Sequence, residues 1–452
     1  MIVIKNGTIV TSEQIGQADL IIEGEKITKI SPNITAPEGA EVIDATGLLV
    51  LPGGVDGHTH FNLDVGTARA VDDFNTGSIA ALCGGTTTII DHMGFGPAGC
   101  SLSHQLEVYH GYADGKCGCD YGFHGVFQHI SKEILAEIPK LMEQGLTSFK
   151  IYLTYDYRLN DGEVLQVLRE MKKLGGITAF HAENHHVIQL LRKEYTENGD
   201  ITPEYHAKSR PDWCEREAIS RLIALSALAD HPEIYLVHIS SKIGLEEGIR
   251  AKEIGNFYIE TCPQYLGFTE KCYENPTEGL KYIMSPPLRK QTDCEALWNG
   301  IEKGAIDVVG TDHCPFHYKG LKERGLEDFT LTPNGAGGVE ERMTYLYSAG
   351  VASGKINLSK YVEVSATNPA KIFGIYPQKG TIAVGSDADL VLFHPDKRGI
   401  FTKKDLHSAC DHTIYEGMER TGEVEAVYLR GKLVVSQNQY LGSQGKFLNR
   451  NK

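Results

Sequence analysis

The chain has 452 residues, 41% of them hydrophobic and 23% charged, a composition suited to a large buried core. A formal net charge of -15 argues against a nucleic acid or an anionic membrane surface as partner, since either calls for a clustered basic face. No run reaches the ~18 apolar residues of a membrane span, and Met1-Ile-Val-Ile-Lys-Asn-Gly7 is no leader, so a cytoplasmic location without membrane contact is expected.

The first fifty residues alternate short β-rich runs with turn signals, over 1–5, 8–10, 19–23, 26–31, 41–43 and 48–51. That is the pattern of a small antiparallel sheet. A similar texture returns over 388–393 and 424–435, so the two chain ends, 1–52 and 373–452, are expected to meet as one β-sandwich. Between them, residues 53–372 change rhythm. Apolar strands are predicted over 50–60, 86–92, 120–127, 148–153, 176–181, 233–239, 257–262 and 306–312. Helical spacing fills stretches between them, as in 163–174, 218–229 and 294–302. Eight βα units in succession predict an α/β fold, a (β/α)8 TIM-like barrel, which needs about 250 residues. A doubly wound open sheet would want a Gly-rich phosphate turn after an early strand, and the sequence has none. The ten cysteines show no repeated spacing and are expected to be reduced. Only Cys314 stands beside candidate active-site residues.

In such a barrel chemistry gathers at the C-terminal strand ends. Those ends carry His58-Thr59-His60, Lys150, His181, His238 and Asp312. His58 and His60 are two apart, so on an extended backbone both imidazoles leave the same face and can share one cation. Singly, each histidine reads as a core residue and Asp312 as a helix cap. Together, at one end of one barrel, they read as a metal site. Lys150 lies in a strand suited to burial, where an ammonium costs several kcal/mol unless paired or neutralised. Either a nearby carboxylate pairs with it, or its amine adds carbon dioxide and becomes a carbamate able to bridge two cations.

Two divalent ions sharing a water would lower its pKa toward ~7 and supply a nucleophile. Asp312 would take the proton and pass it to the departing nitrogen. Tyr155, in the loop after Lys150, is placed to donate to the developing oxyanion, or else is an aromatic wall residue like Tyr152 and Tyr157. Phe61, Leu63, Val65, Met93 and Phe95 join those two tyrosines as candidate apolar wall.

This constellation closely resembles the amidohydrolase superfamily and, within it, the dihydropyrimidinase and hydantoinase group. The resemblance runs from Val42-Ile-Asp-Ala-Thr-Gly47 through Gly385-Ser-Asp-Ala-Asp-Leu390. Segments such as His58-Thr-His-Phe-Asn-Leu-Asp-Val-Gly66, Gly84-Gly-Thr-Thr-Thr-Ile-Ile-Asp-His-Met93, Phe149-Lys-Ile-Tyr-Leu-Thr-Tyr155 and Glu260-Thr-Cys-Pro-Gln-Tyr265 look most like the bacterial D-phenylhydantoinase type. The resemblance implies metal ligands at His58, His60, Lys150, His181, His238 and Asp312, with Lys150 carboxylated and bridging two divalent ions. Zinc comes first for such ligands, with manganese, cobalt or iron as alternatives. It implies substrate contacts at Tyr155, Ser285 and Asn334, the last two largely through backbone atoms, and a homotetramer. The implied reaction is hydrolysis of the ring amide of a 5-substituted hydantoin, a small cyclic ureide, to an N-carbamoyl amino acid. Dihydropyrimidinase and allantoinase activities are the alternatives, and a catalytically silent interaction protein of this fold is the non-enzyme reading. Two departures bear on substrate. Tyr152-Leu-Thr-Tyr155 stands where dihydropyrimidinases show Phe-Met-Ala-Tyr. Asn62 stands where a dihydroorotase-like enzyme has an arginine for an acidic ring substituent.

Overall fold

The computed structural model describes residues 1–450. Eight parallel strands follow one another around a barrel: β1 (Gly54–Thr59), β2 (Thr86–His92), β3 (Asp120–Val126), β4 (Ser148–Tyr152), β5 (Ile177–His181), β6 (Glu233–Leu236), β7 (Phe257–Thr261) and β8 (Val308–Val309). The ring closes just past β1 and β8, where Thr59 bridges His313 and the His60 N–H donates to the His313 carbonyl at 2.9 Å. The helices between strands begin at recognisable caps. Asn160 opens the helix Asp161–Leu174 with a capping box, and Ser241 opens Lys242–Ile254 through its hydroxyl.

Strand period two divides each sequence between two environments. Phe149 and Ile151 of β4 pack outward against the helices, whereas Ser148 and Lys150 turn inward. Inward residues Ile90, Ile177, Ala179, Tyr235 and Val308 form a cluster closed by Ile372 and Phe373 from the end of the barrel chain. Gly57 is required there, because a Cβ on it would stand 2.5 Å from the Phe373 ring.

Both chain ends contribute to two further sheets. Lys26–Ser31, Asp19–Glu23, Ile2–Lys5 and Glu41–Asp44 form one. In the other, Leu390–Ile400 pairs with Glu419–Leu429 on one side and with Leu49–Pro52 on the other, and Leu49–Pro52 pairs in turn with Thr8–Val10. Ile4, Leu20, Ile22 and Ile27 of the first pack on Ile9, Val50, Leu390, Leu392 and Tyr428 of the second. Buried Lys379 ties this layer to the barrel, meeting Asp120 at 2.5 Å, Asp389 at 2.7 Å and Asp387 at 3.0 Å.

Two predicted strands are corrected. The run 50–60 is broken at Gly53: Leu49–Pro52 belongs to the sandwich, and the barrel strand starts at Gly54. Gly53 packs so tightly on Thr87 that a Cβ would lie 2.0 Å from its hydroxyl, so the chain crosses between layers there. The run 306–312 pairs only at Val308–Val309, and Asp312 has left the strand with a φ of 54°.

Candidate metal and catalytic site

All the sequence-selected site residues meet in one cavity of about 390 Å³, lined by His58, His60, Lys150, Tyr155, His181, His238, Ser285, Asp312 and Asn334. Two groups of donor atoms face each other across it. The Nε2 atoms of His58 and His60 each lie 3.0 Å from Asp312 Oδ1. His181 Nδ1 and His238 Nε2 are 2.9 Å apart. Two of the rear nitrogens are already held, while His60 Nδ1 and His238 Nδ1 are buried without a hydrogen-bond partner. His58 Nδ1 meets Glu260 Oε1 at 2.6 Å, and His181 Nε2 meets Glu183 Oε2 at 2.7 Å. A carboxylate behind an imidazole fixes its orientation and raises its basicity, as a metal ligand requires.

Electrostatics point the same way. Burial presses the His58 imidazole down, yet the Glu260 and Asp312 carboxylates overcome it and lift the ring to about 9. Such a field favours a positive charge at this spot. Burial holds His60 at about 4 and His181 and His238 below their ordinary value, leaving neutral rings with lone pairs free. Burial would raise Asp312, but His58 and His60 hold it well below the carboxylate range.

Lys150 stands between the two groups, 1% exposed. Among the described residues no carboxylate pairs with it; its nearest described interaction is with the Tyr152 ring, 5.2 Å from the ammonium to the centroid. Burial brings its amine down to about 8, against the pull of Asp312 and Glu260. Of the two sequence readings, the lysine–carboxylate ion pair is not formed. An amine lowered this far keeps an uncharged fraction near neutral pH, and that form, beside four imidazoles, suits reaction with carbon dioxide.

Three of these residues hold the left-handed backbone: Tyr155 at φ 69°, His238 at 42° and Asp312 at 54°. Non-glycine residues adopt it at a cost of order 1–3 kcal/mol, and it gathers at functional sites. The Tyr155 ring lies edge-on to His181 at 5.4 Å and beneath the Arg210 guanidinium at 5.5 Å. Burial raises its phenol, opposed by Arg210, so it stays protonated and able to donate. Ser285 and Asn334 come from two loops pinned from behind. Lys322 Nζ donates to the Ile283 and Pro333 carbonyls at 2.8 and 3.2 Å, and His206 Nε2 lies 2.7 Å from the Met284 carbonyl.

Among the wall candidates, Leu63, Val65, Phe95, Tyr152 and Tyr157 line the cavity, with Phe95 and Tyr157 stacked at 3.9 Å. Phe61 and Met93 do not. Both turn into the core, where Phe61 packs edge-on against Phe74 at 5.6 Å and fills the space left by Gly77. Cys314 lines the cavity, but burial pushes its thiol far up, so it is inert wall. Sequence reasoning missed Glu260, Glu183, Arg210 and Lys322. Glu260 had a signal, a charged residue at an inward position of an apolar strand and two short of its end. Glu183 follows His181 by two. Lys322, in Lys319-Gly-Leu-Lys322, looks like any surface lysine.

A metal-hydrolase barrel is the class that this fold and site define. The family model for the amidohydrolase family matches residues 49–434. The D-phenylhydantoinase of Escherichia coli (strain SE11) is 47% identical over 453 residues, covering 99% of this chain and 98% of its own. The crystal structure of dihydropyrimidinase from Brevibacillus agri NCHU1002 superposes with a TM-score of 0.97 at 42% identity, covering 99% of this chain and 98% of that one. The L-hydantoinase (dihydropyrimidinase) from Arthrobacter aurescens has a TM-score of 0.90 at 31% identity, covering 99% of both chains. The chain belongs to the amidohydrolase family, a family of metal-dependent enzymes.

Proposed function

We propose that the chain opens the ring amide of 5-substituted hydantoins, giving N-carbamoyl amino acids. The observation that carries this reading is the convergence of His58 Nε2, His60 Nε2 and Asp312 Oδ1 with His181 Nδ1 and His238 Nε2 around an unpaired Lys150. These atoms and a carbamate on Lys150 would hold two divalent ions, zinc first and manganese, cobalt or iron as alternatives. When bound, such a pair supplies a water acidic enough to attack at neutral pH and draws charge from the carbonyl under attack.

The chain's own groups do the rest. Asp312, kept ionised, accepts the proton released as water adds to the ring carbonyl. The C–N bond then breaks, and the same proton passes from Asp312 to the leaving ring nitrogen. Tyr155 donates its phenol hydrogen to the carbonyl oxygen as that oxygen becomes negative. Backbone groups at Ser285 and Asn334 orient the ring amide. Leu63, Val65, Phe95, Tyr152 and Tyr157 give an apolar surface for the 5-substituent and exclude water from it. The 47% relative named for D-phenylhydantoin favours an aryl group and the D enantiomer. The Brevibacillus agri neighbour keeps dihydropyrimidine hydrolysis as the second reading. A homotetramer working in the cytoplasm completes the proposal.

The test is a turnover panel of racemic 5-phenylhydantoin, dihydrouracil, allantoin and dihydroorotate, with metal content measured on the same sample. Phenylhydantoin turned over fastest, with the D product and two metals per chain, is expected. Faster dihydrouracil moves the assignment to dihydropyrimidinase. A metal-free, inactive protein would move it to an interaction role.

A further inference from the structure

The cavity wall is not apolar throughout. The helix His185–Glu197 presents Gln189 and Arg192, three residues apart and so on one face, to the same cavity that holds the histidines. Asp156 and Thr330 stand in this wall as well. Arg192 is half-buried, and burial together with the nearby Arg210 charge lowers its guanidinium. Among the described residues the guanidinium makes one hydrogen bond, a long one from Nη2 to the Thr330 carbonyl at 3.4 Å. No carboxylate comes within ion-pair distance among the described residues. Asp156 and Asp328 act on it only from further away. A planar fork of donors set in a reaction cavity with one weak bond is poised for an acceptor from outside the chain.

Asn62 makes the contrast. It occupies the position where an arginine would anchor an acidic ring substituent, but its Oδ1 accepts from the Phe74 N–H at 3.0 Å, the first N–H of the helix Phe74–Cys83 that Asp73 caps. The cation absent there is supplied from another element, further along the wall.

We infer that Arg192 is a specificity-determining residue that binds a carboxylate, or another anionic acceptor, at the far end of the 5-substituent. The substrate class extends from neutral aryl hydantoins to those whose substituent carries an acid. The wall then has two parts: Phe95, Tyr157, Leu63 and Val65 take the body of the substituent, and Arg192 with Gln189 takes its polar tip. Arg192 touches no reacting atom, so it acts on binding and leaves the bond-breaking step alone. The inference rests on the hydantoinase reading given above.

The experiment compares kcat/KM for 5-phenylhydantoin and 5-(4-carboxyphenyl)hydantoin, and for 5-butylhydantoin and 5-(2-carboxyethyl)hydantoin, in the parent, Arg192→Gln and Arg192→Lys. Loss of a charge-assisted fork should lower the acid-to-neutral ratio by about tenfold in Arg192→Gln, mainly through KM. Arg192→Lys should restore part of it as a point charge. In the parent, the ratio should also fall with added salt, a readout that needs no variant to fold. A ratio that stays within twofold of the parent in Arg192→Gln, or that ignores salt, overturns the inference while phenylhydantoin turnover leaves the hydantoinase reading standing. A parent that opens no hydantoin ring at all overturns both.

Discussion

Glu260 offers the most exacting check on how the site is held. Its Oε1 takes His58 Nδ1 at 2.6 Å and the His238 N–H at 3.0 Å, and its Oε2 accepts from Tyr235 at 2.8 Å. One carboxylate thus orients residues from both donor groups. Glu260→Gln is close to isosteric, and its hydrogen bonds can be remade. The amide oxygen can keep His58 and His238, and the amide NH2 can donate to the Tyr235 hydroxyl, which both donates and accepts. The substitution therefore isolates the charge. Removing a carboxylate behind a ligating imidazole costs ~10- to 100-fold in metal affinity, or about 1.4–2.7 kcal/mol. Two of its contacts serve proposed ligands, so we expect the upper half of that range. The assay is metal retained per chain against a graded chelator series, with kcat read at saturating metal. Retention within threefold of the parent would refute the argument, and Glu260 would then be a core carboxylate with no influence on the site.

Four further outcomes are expected. Lys150→Ala should lose metal and activity together, and short carboxylic acids should restore part of both; two metals per chain with near-parental turnover would remove the bridging role. Tyr155→Phe keeps the ring but loses one oxyanion donor, so kcat should fall ~10²-fold with metal content unchanged, whereas a fall within threefold would make the tyrosine wall. A 5-aryl group should raise kcat/KM over dihydrouracil roughly ten- to a hundredfold, from ~1.5–3 kcal/mol of apolar burial, and equal rates would count against the apolar wall. Asp72 is held at about 2 although burial would raise it, because His313, Ser408 and the Ala409 N–H hydrogen-bond its charge. Its lowered value contributes stability that is full above pH ~4 and is lost as pH falls toward 2, about 2 kcal/mol in all. Denaturant melts of Asp72→Asn should therefore show a deficit at pH 7 that shrinks below pH ~4 and closes as pH falls through about 2.

The barrel was legible in the sequence because its strands are buried on both faces and read as short apolar runs between helical stretches. The ends of those runs were not. Gly53 breaks what looks like one strand, and only the packing of Thr87 and the pairing of Leu49–Pro52 with Leu390–Ile400 reveal it. The last strand shrinks to Val308–Val309 because Asp312 turns out of line. Phe61 and Met93 face the core and not the cavity for a reason that strand position does not carry. Loop position after a strand says which end of the barrel a residue occupies, but not whether it faces the cavity or the helices.

The site shows the same division at a finer scale. Residues that donate to a shared centre were found because their type is rare at strand ends and five such ends coincide. The groups that orient the site left weaker traces: Glu260 and Lys322 sit in other segments and act through space, and Glu183, though only two residues past His181, lies beyond the strand end. Lys322 holds two carbonyls that stand before Ser285 and Asn334, and no spacing in the chain joins those three positions. Arg192 is the extreme case. Position 62, just past the second histidine, carries Asn62 and not an acid-binding arginine. The wall of a barrel cavity is assembled from many loops, so a missing function at one position can be met from another element entirely. Substrate range in this fold is consequently a property of the assembled wall, and the sequence next to the metal site is a poor guide to it.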